Sequence, residues 1–236
     1  MNWLQISKNP VDTRVNLFLT KQLRQKKALP SEDFLGLIKD FVSGKSVLDI
    51  GVVEHDFSHI HSDNWKHKKI KGWSKEVLGV DILEEEVNFL NKNGYDVRLV
   101  DATSSDYLGV KFERVVIGDV VEHVNDPVKL LEFAGRHIDN DGLIMVSTPN
   151  PFYWRFFLRT IREGTLIANA DHVSWITPTN ALEIARRSNL TLEKYYPMMG
   201  PPKSILKRVF KKISKLLISE DSEVYASAYI YIFKKY

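Results

Sequence analysis

The chain has no cysteine among its 236 residues, which excludes disulfides and thiolate metal sites. It also lacks any apolar run of the roughly eighteen residues that a membrane span needs, and no apolar segment follows Met1. These absences predict neither a spanning nor a secreted protein and set a cytoplasmic location as the default. Charge of one sign is scarce too: 33 Lys and Arg against 30 Asp and Glu leave a net +3, too little to imply nucleic-acid binding by itself. The distribution is less even. Lys203, Lys207, Arg208, Lys211, Lys212 and Lys215 stand between Lys203 and Ile218 without one acid, so the rest of the chain is net acidic.

What is present suffices for one substantial core, since 44% of the residues are hydrophobic. Ser46-Val47-Leu48-Asp49-Ile50-Gly51 and Val77-Leu78-Gly79-Val80-Asp81 read as two buried strands, each carrying an acid near its end. Val97 to Val100 is a third, followed by Asp101, and Arg114 to Ile117 a fourth. Leu143 to Ser147, Leu190 to Tyr196 and Val224 to Phe233 complete the set. Helical spacing joins them: Phe34, Leu37, Ile38 and Phe41; Val87 and Leu90; Leu130, Leu131, Ala134 and Ile138; and Pro178 to Ser188 behind a Thr177 cap. The alternation predicts an α/β fold with a doubly wound sheet and helices on both faces. In such a sheet ligands bind beyond the carboxyl ends of the strands, where an acid can accept both ribose hydroxyls.

The remaining segments are read as attachments. Residues 1–44 form a helical extension before a domain over 45–236, with an aromatic-rich insertion at about 150–176 expected as a helix or lid. The stretch between Asp56 and Trp73, with His59, His61 and His67 inside it and His55 just before, is read as a crossover helix with a solvated polar face.

These strand-end acids, with Val115-Val116-Ile117-Gly118-Asp119-Val120-Val121-Glu122-His123, resemble the class I S-adenosylmethionine-dependent methyltransferases. The resemblance implies a Rossmann-like, seven-stranded sheet whose last strand is antiparallel. It implies that Asp81 accepts the ribose hydroxyls, Ile82 packs on adenine, Asp101 and the Ala102 backbone read the base, and Gly51 gives backbone access. Asp49 would orient the ammonium end through water, and Asp119 belongs to the same cofactor set. One departure stands out. The family's turn is Asp/Glu-x-Gly-x-Gly-x-Gly, whereas here Val53 and His55 replace the second and third glycines.

Methyl transfer needs an aligned acceptor and, for a hydroxyl, a base. His123 and His172 are the candidates, with Glu122 beside the first. Asp119-Val120-Val121-Glu122-His123 is also similar to the Glu-x-x-Glu-His segment of ubiquinone-biosynthesis O-methyltransferases, which implies a divalent metal held by Asp119, Glu122 and His123. Ile205, Leu206, Val209, Phe210, Ile213, Leu216 and Leu217 predict a basic amphipathic helix at about 203–218, suited to packing on the sheet or a second subunit, or to an anionic membrane's inner face.

The leading expectation is O-methylation of a sugar or other small molecule, extending to a lipid-linked polysaccharide precursor. Two rivals stand beside it: a degenerate methyltransferase-fold scaffold, and an RNA methyltransferase, for which the sequence shows no base-reading module. The oligomeric state and the acceptor stay open.

Overall fold

The computed structural model describes residues 2–54, 60–200, 219 and 222–236. Strands β1 (Ser46–Ile50), β2 (Glu76–Asp81), β3 (Val97–Leu99), β4 (Phe112–Gly118), β5 (Ile138–Pro149), β6 (Leu190–Met199) and β7 (Ala226–Lys235) form one sheet in the order β3-β2-β1-β4-β5-β7-β6. The first five run parallel; β7 is antiparallel to both of its neighbours. Helices α1 (Thr13–Lys26), α2 (Phe34–Val42), α3 (Lys66–Trp73), α4 (Glu84–Lys92), α5 (Pro127–His137), α6 (Trp154–Glu163) and α7 (Pro178–Arg187) connect and cover it. The seven-stranded, Rossmann-like sheet expected from the sequence is the sheet observed. No helix among the described residues is long and apolar enough to cross a membrane.

The central strands β1 and β4 are apolar and buried at consecutive positions because both faces are covered. Leu48, Ile50, Val115, Ile117, Ile144 and Val146 point to the layer of α5 and α7, where Leu130, Phe133, Ala181 and Ala185 are buried. The alternate residues Val47, Val116 and Met145 point to the layer of α2 and α3 with Ile38, Val42 and Ile70. This two-residue alternation also sends the Asp49 side chain to the α2/α3 layer.

Two local features differ from the sequence reading. Strand β5 begins at Ile138 and not at Leu143, with a bulge inside it at Asp141-Gly142: Phe112 pairs with Ile138 and Arg114 already with Leu143. At the far edge, Lys27 and Ser31 bridge to Tyr195 and Met198 of β6, so the segment after α1 covers a strand that would otherwise present open hydrogen-bonding groups. The basic segment at about 203–218 lies outside the described residues.

Candidate active site

Strand order reverses between β1 and β4, which opens a crevice at the carboxyl ends of the strands. A cavity of about 490 Å³ occupies it, within the roughly 300–1,000 Å³ typical of small-molecule sites. Asp81, Ile82, Asp101, Ala102, Gly51 and Asp119 all line this cavity. Asp81 is held by its surroundings: Oδ1 accepts the N–H groups of Ile82 (2.8 Å) and Leu83 (3.2 Å), and Oδ2 accepts that of Val53 (2.9 Å). Burial raises its pKa, and the three backbone donors pull the other way. Asp101 Oδ1 receives both the N–H and the hydroxyl of Thr103, each at 2.7 Å.

The altered glycine turn is braced by other groups. Gly51 has φ +77°, and a Cβ there would come within 2.2 Å of Val120 Cγ2, so this one position requires glycine. Val53 is tied to Asp81, and the buried Trp65 indole donates to Val52 O at 2.9 Å. From the first turn of α3, Lys66 Nζ reaches Asp119 Oδ2 at 3.0 Å, Gly118 O at 3.5 Å and Glu54 Oε1 at 3.8 Å. Burial alone would push the lysine pKa down, but Asp119, Glu54 and Asp49 together hold it above the usual value, so the ammonium stays charged. Asp119 adopts φ +58°, rare for a residue with a side chain, and its Oδ1 accepts the Ser147 hydroxyl at 2.9 Å. A positive group flanked by two carboxylates on the cavity wall matches the zwitterionic end of an amino acid.

Lys66 and Glu54 were missed in the sequence. The signal was there: the first turn of a crossover helix always lies at the carboxyl end of a parallel sheet. Asp49 stands one layer behind these groups. It does not line the large cavity; its Oδ2 lies 2.8 Å from Nδ1 of His67, a ring only 1% exposed. His67 therefore belongs to the packed layer under the turn and not to a solvated helix face. His55 and His59 lie outside the described residues.

A second cluster closes the far wall. The turn after β4 is met by the loop before α7, because Glu122 O accepts the N–H groups of Val173 (2.9 Å) and Ser174 (3.2 Å). This lacing brings His123 Nδ1 to 3.2 Å from Asp171 Oδ2, and both residues line the cavity. His172 sits behind, its ring perpendicular to that of His123 at 4.7 Å. Neither His172 nor Glu122 lines the cavity. No residue of α6 does either; of the insertion at about 150–176 it is Asp171 that reaches the cavity wall.

Glu122 is buried, which raises its carboxyl from 4.5 to about 7, with the Asp119 charge acting in the same direction. Below pH 4.5 both folded and unfolded chains carry the proton and no penalty exists. Above about pH 7 the folded chain must bury a carboxylate, at a cost of the order of 3 kcal/mol. Glu122→Gln is therefore expected to raise the unfolding temperature relative to wild type at pH 8 and to lose that advantage at pH 4, a difference that paired thermal melts measure directly.

The ligand atoms of Glu122, His123 and His172 lie within 4.8 Å of one another. This is not the set expected from the sequence, since Asp119 turns its carboxylate to Lys66 and Ser147 and His172 stands in its place.

Sheet order, strand-end acids and cavity define the class I S-adenosylmethionine-dependent methyltransferase fold. Residues 20–195, well over half of the chain, match the family model described as a methyltransferase domain, and the chain belongs to that family. Among solved structures it is similar to a SAM-dependent methyltransferase from Archaeoglobus fulgidus (19% identity, TM-score 0.55, covering 85% of this chain and 94% of that one). Another from Mesorhizobium loti has 14% identity and TM-score 0.54, covering 87% and 98%. The [4+2]-cyclase SpnF shares the fold at 10% identity and TM-score 0.56, covering 93% and 92%. No curated protein matches the chain.

Proposed function

We propose that the protein transfers the methyl group of S-adenosylmethionine to a hydroxyl oxygen of a sugar or other small acceptor, with His123 taking the proton. The observation that carries this reading is the His123–Asp171 pair on the cavity wall, 3.2 Å apart. With Nδ1 turned to Asp171, Nε2 is the ring atom that accepts the hydroxyl proton, and the carboxylate stabilises the imidazolium that results. The cofactor supplies an electrophilic methyl: its S–C bond breaks as the O–C bond forms, leaving a neutral thioether.

In this reading Asp81 accepts the ribose hydroxyls, Ile82 covers one adenine face, and Asp101 with the Ala102 backbone reads the base edge. Lys66 takes the cofactor carboxylate, while Glu54 and Asp119 take its ammonium, replacing contacts that a glycine-rich turn would make. Lys66→Met is expected to weaken S-adenosylhomocysteine binding about 10- to 100-fold, the loss of one charge-assisted contact. Affinity for 5′-methylthioadenosine, which lacks the amino-acid end, should stay within about twofold of wild type by the same argument. Equal losses for both ligands in calorimetry would reduce Lys66 to a structural role.

The whole reading is tested by saturable binding of S-adenosylhomocysteine and by transfer of labelled methyl to a panel of hydroxyl acceptors beginning with sugars. Folded protein that binds no cofactor would leave the scaffold reading in its place. A variant of this function, a divalent ion that lowers the pKa of the acceptor hydroxyl, would use the Glu122, His123 and His172 cluster, of which only His123 stands on the cavity wall. The two differ in one measurement: activity that survives exhaustive chelation belongs to the His123 base, and activity that chelation removes and Mn²⁺ or Zn²⁺ restores belongs to the ion.

A further inference from the structure

Helix α6 is amphipathic in the wrong direction for a helix that only covers its own sheet. At 3.6 residues per turn, Trp154, Phe157, Leu158 and Ile161 share one side, and Arg155, Arg159 and Arg162 form the stripe beside it. A surface helix normally turns its apolar stripe to the core. Here no side chain of α6 is buried, and Phe157 and Ile161 are 65% and 66% exposed. It is Phe156 that faces the protein, edge-on to Tyr153 and Trp175. Gly164 ends the helix at φ +74°, and Leu166 and Ile167 just beyond it are exposed as well. An exposed apolar surface of this kind marks a contact.

We propose that α6 docks on an anionic phospholipid bilayer, with Phe157, Leu158 and Ile161 in the acyl boundary and Arg155, Arg159 and Arg162 on the headgroup phosphates. Charge complementarity selects this occupant. An apolar stripe edged by arginines is the composition of an interfacial helix. The chain's own segment 203–218 carries six cations and no acid, so laying it on α6 would crowd like charges; one anionic surface suits both. A second copy of α6 would bring the same arginines, balanced only by Glu163.

The location gives the docking a purpose. Ring contacts run from Phe156 to Trp175 (5.9 Å), on to His172 (5.9 Å) and then to His123 (4.7 Å), so the docked helix lies beside the acceptor wall of the cavity. Resting on the methyl-transfer reading, this names the acceptor class: a hydroxyl compound carried at a membrane surface by a lipid.

The test is co-sedimentation of the full chain with phosphatidylcholine vesicles, with and without phosphatidylglycerol. The chain should bind only the anionic vesicles, and less as salt rises. The Phe157→Ser/Ile161→Ser variant should lose at least about tenfold in partition coefficient. The triple change Arg155→Gln, Arg159→Gln, Arg162→Gln should lose about a hundredfold, at roughly fivefold per cation. Both variants should bind S-adenosylhomocysteine as wild type does, which keeps this result separate from the fate of the cofactor reading. The proposal is overturned if wild type ignores anionic vesicles. It is equally overturned if binding is insensitive to the α6 changes and disappears only in a Lys207→Gln/Arg208→Gln/Lys211→Gln/Lys212→Gln variant. A fall in sedimentation mass of the Phe157→Ser/Ile161→Ser variant without a change in vesicle binding would reassign the face to contact between copies.

Discussion

Replacing His123 by alanine is expected to lower kcat by about 10²- to 10⁴-fold, the usual contribution of a positioned general base. The cofactor contacts proposed above come from β1, β2, α3 and the tips of β3 and β4, and none from the imidazole. Affinity for S-adenosylhomocysteine should therefore stay within about twofold of wild type. Asp171→Asn should cost less, about tenfold, because the base remains and only its imidazolium loses a charge partner. That partner is half exposed, with 53% of its side chain accessible. His172→Asn should be milder still, since His172 packs behind His123 and does not line the cavity. Steady-state kinetics of the three variants with one identified acceptor decide the matter. A silent His123→Ala beside an inactive His172→Asn would invert the assignment.

Asp81→Asn should weaken S-adenosylhomocysteine and 5′-methylthioadenosine alike, by about a hundredfold, because two charge-assisted hydrogen bonds to a diol are lost or made neutral. Both ligands carry the ribose, whereas only the first carries the amino-acid end, so Asp81 and Lys66 should produce distinct patterns in the same pair of titrations. The asparagine also keeps one carbonyl oxygen for the donors of Ile82, Leu83 and Val53, which the carboxylate now shares between two atoms. A modest loss of stability should accompany the binding defect, and circular dichroism at the titration temperature separates the two. Cofactor binding that is indifferent to Asp81→Asn would remove the ribose assignment.

Several elements are legible in the sequence because their causes are local. Val47-Leu48 and Val115-Val116-Ile117 are apolar at consecutive positions, which only a strand covered on both faces demands. Thr177 caps α7 with Asn180 returning the bond, a pattern contained in four residues. Asn93 and Gly94 stop α4 by the same kind of short-range rule, Gly94 at φ +82°.

Other features have causes that no local window contains. Asp49 and Asp81 look alike as acids at strand ends, yet strand register sends Asp49 to His67 under the sheet and leaves Asp81 on the cavity wall. Asp171 is legible only as the neighbour of His172; the loop's hydrogen bonds to Glu122 O turn it to His123 instead. The spacing of α6 shows an amphipathic helix but not that its apolar side faces outward, because periodicity records that one side differs from the other and not which side the protein covers.

The sequence by itself determined the class of fold, the strand-end acids and the family, since burial pattern and short motifs are properties of neighbouring residues. Only the tertiary structure decided that Lys66 serves the cavity, that His123 and Asp171 pair, and that α6 keeps its apolar face exposed. Those outcomes depend on where helices and loops far apart in the chain meet at the carboxyl edge of one sheet, and that meeting is set by the packing of the whole.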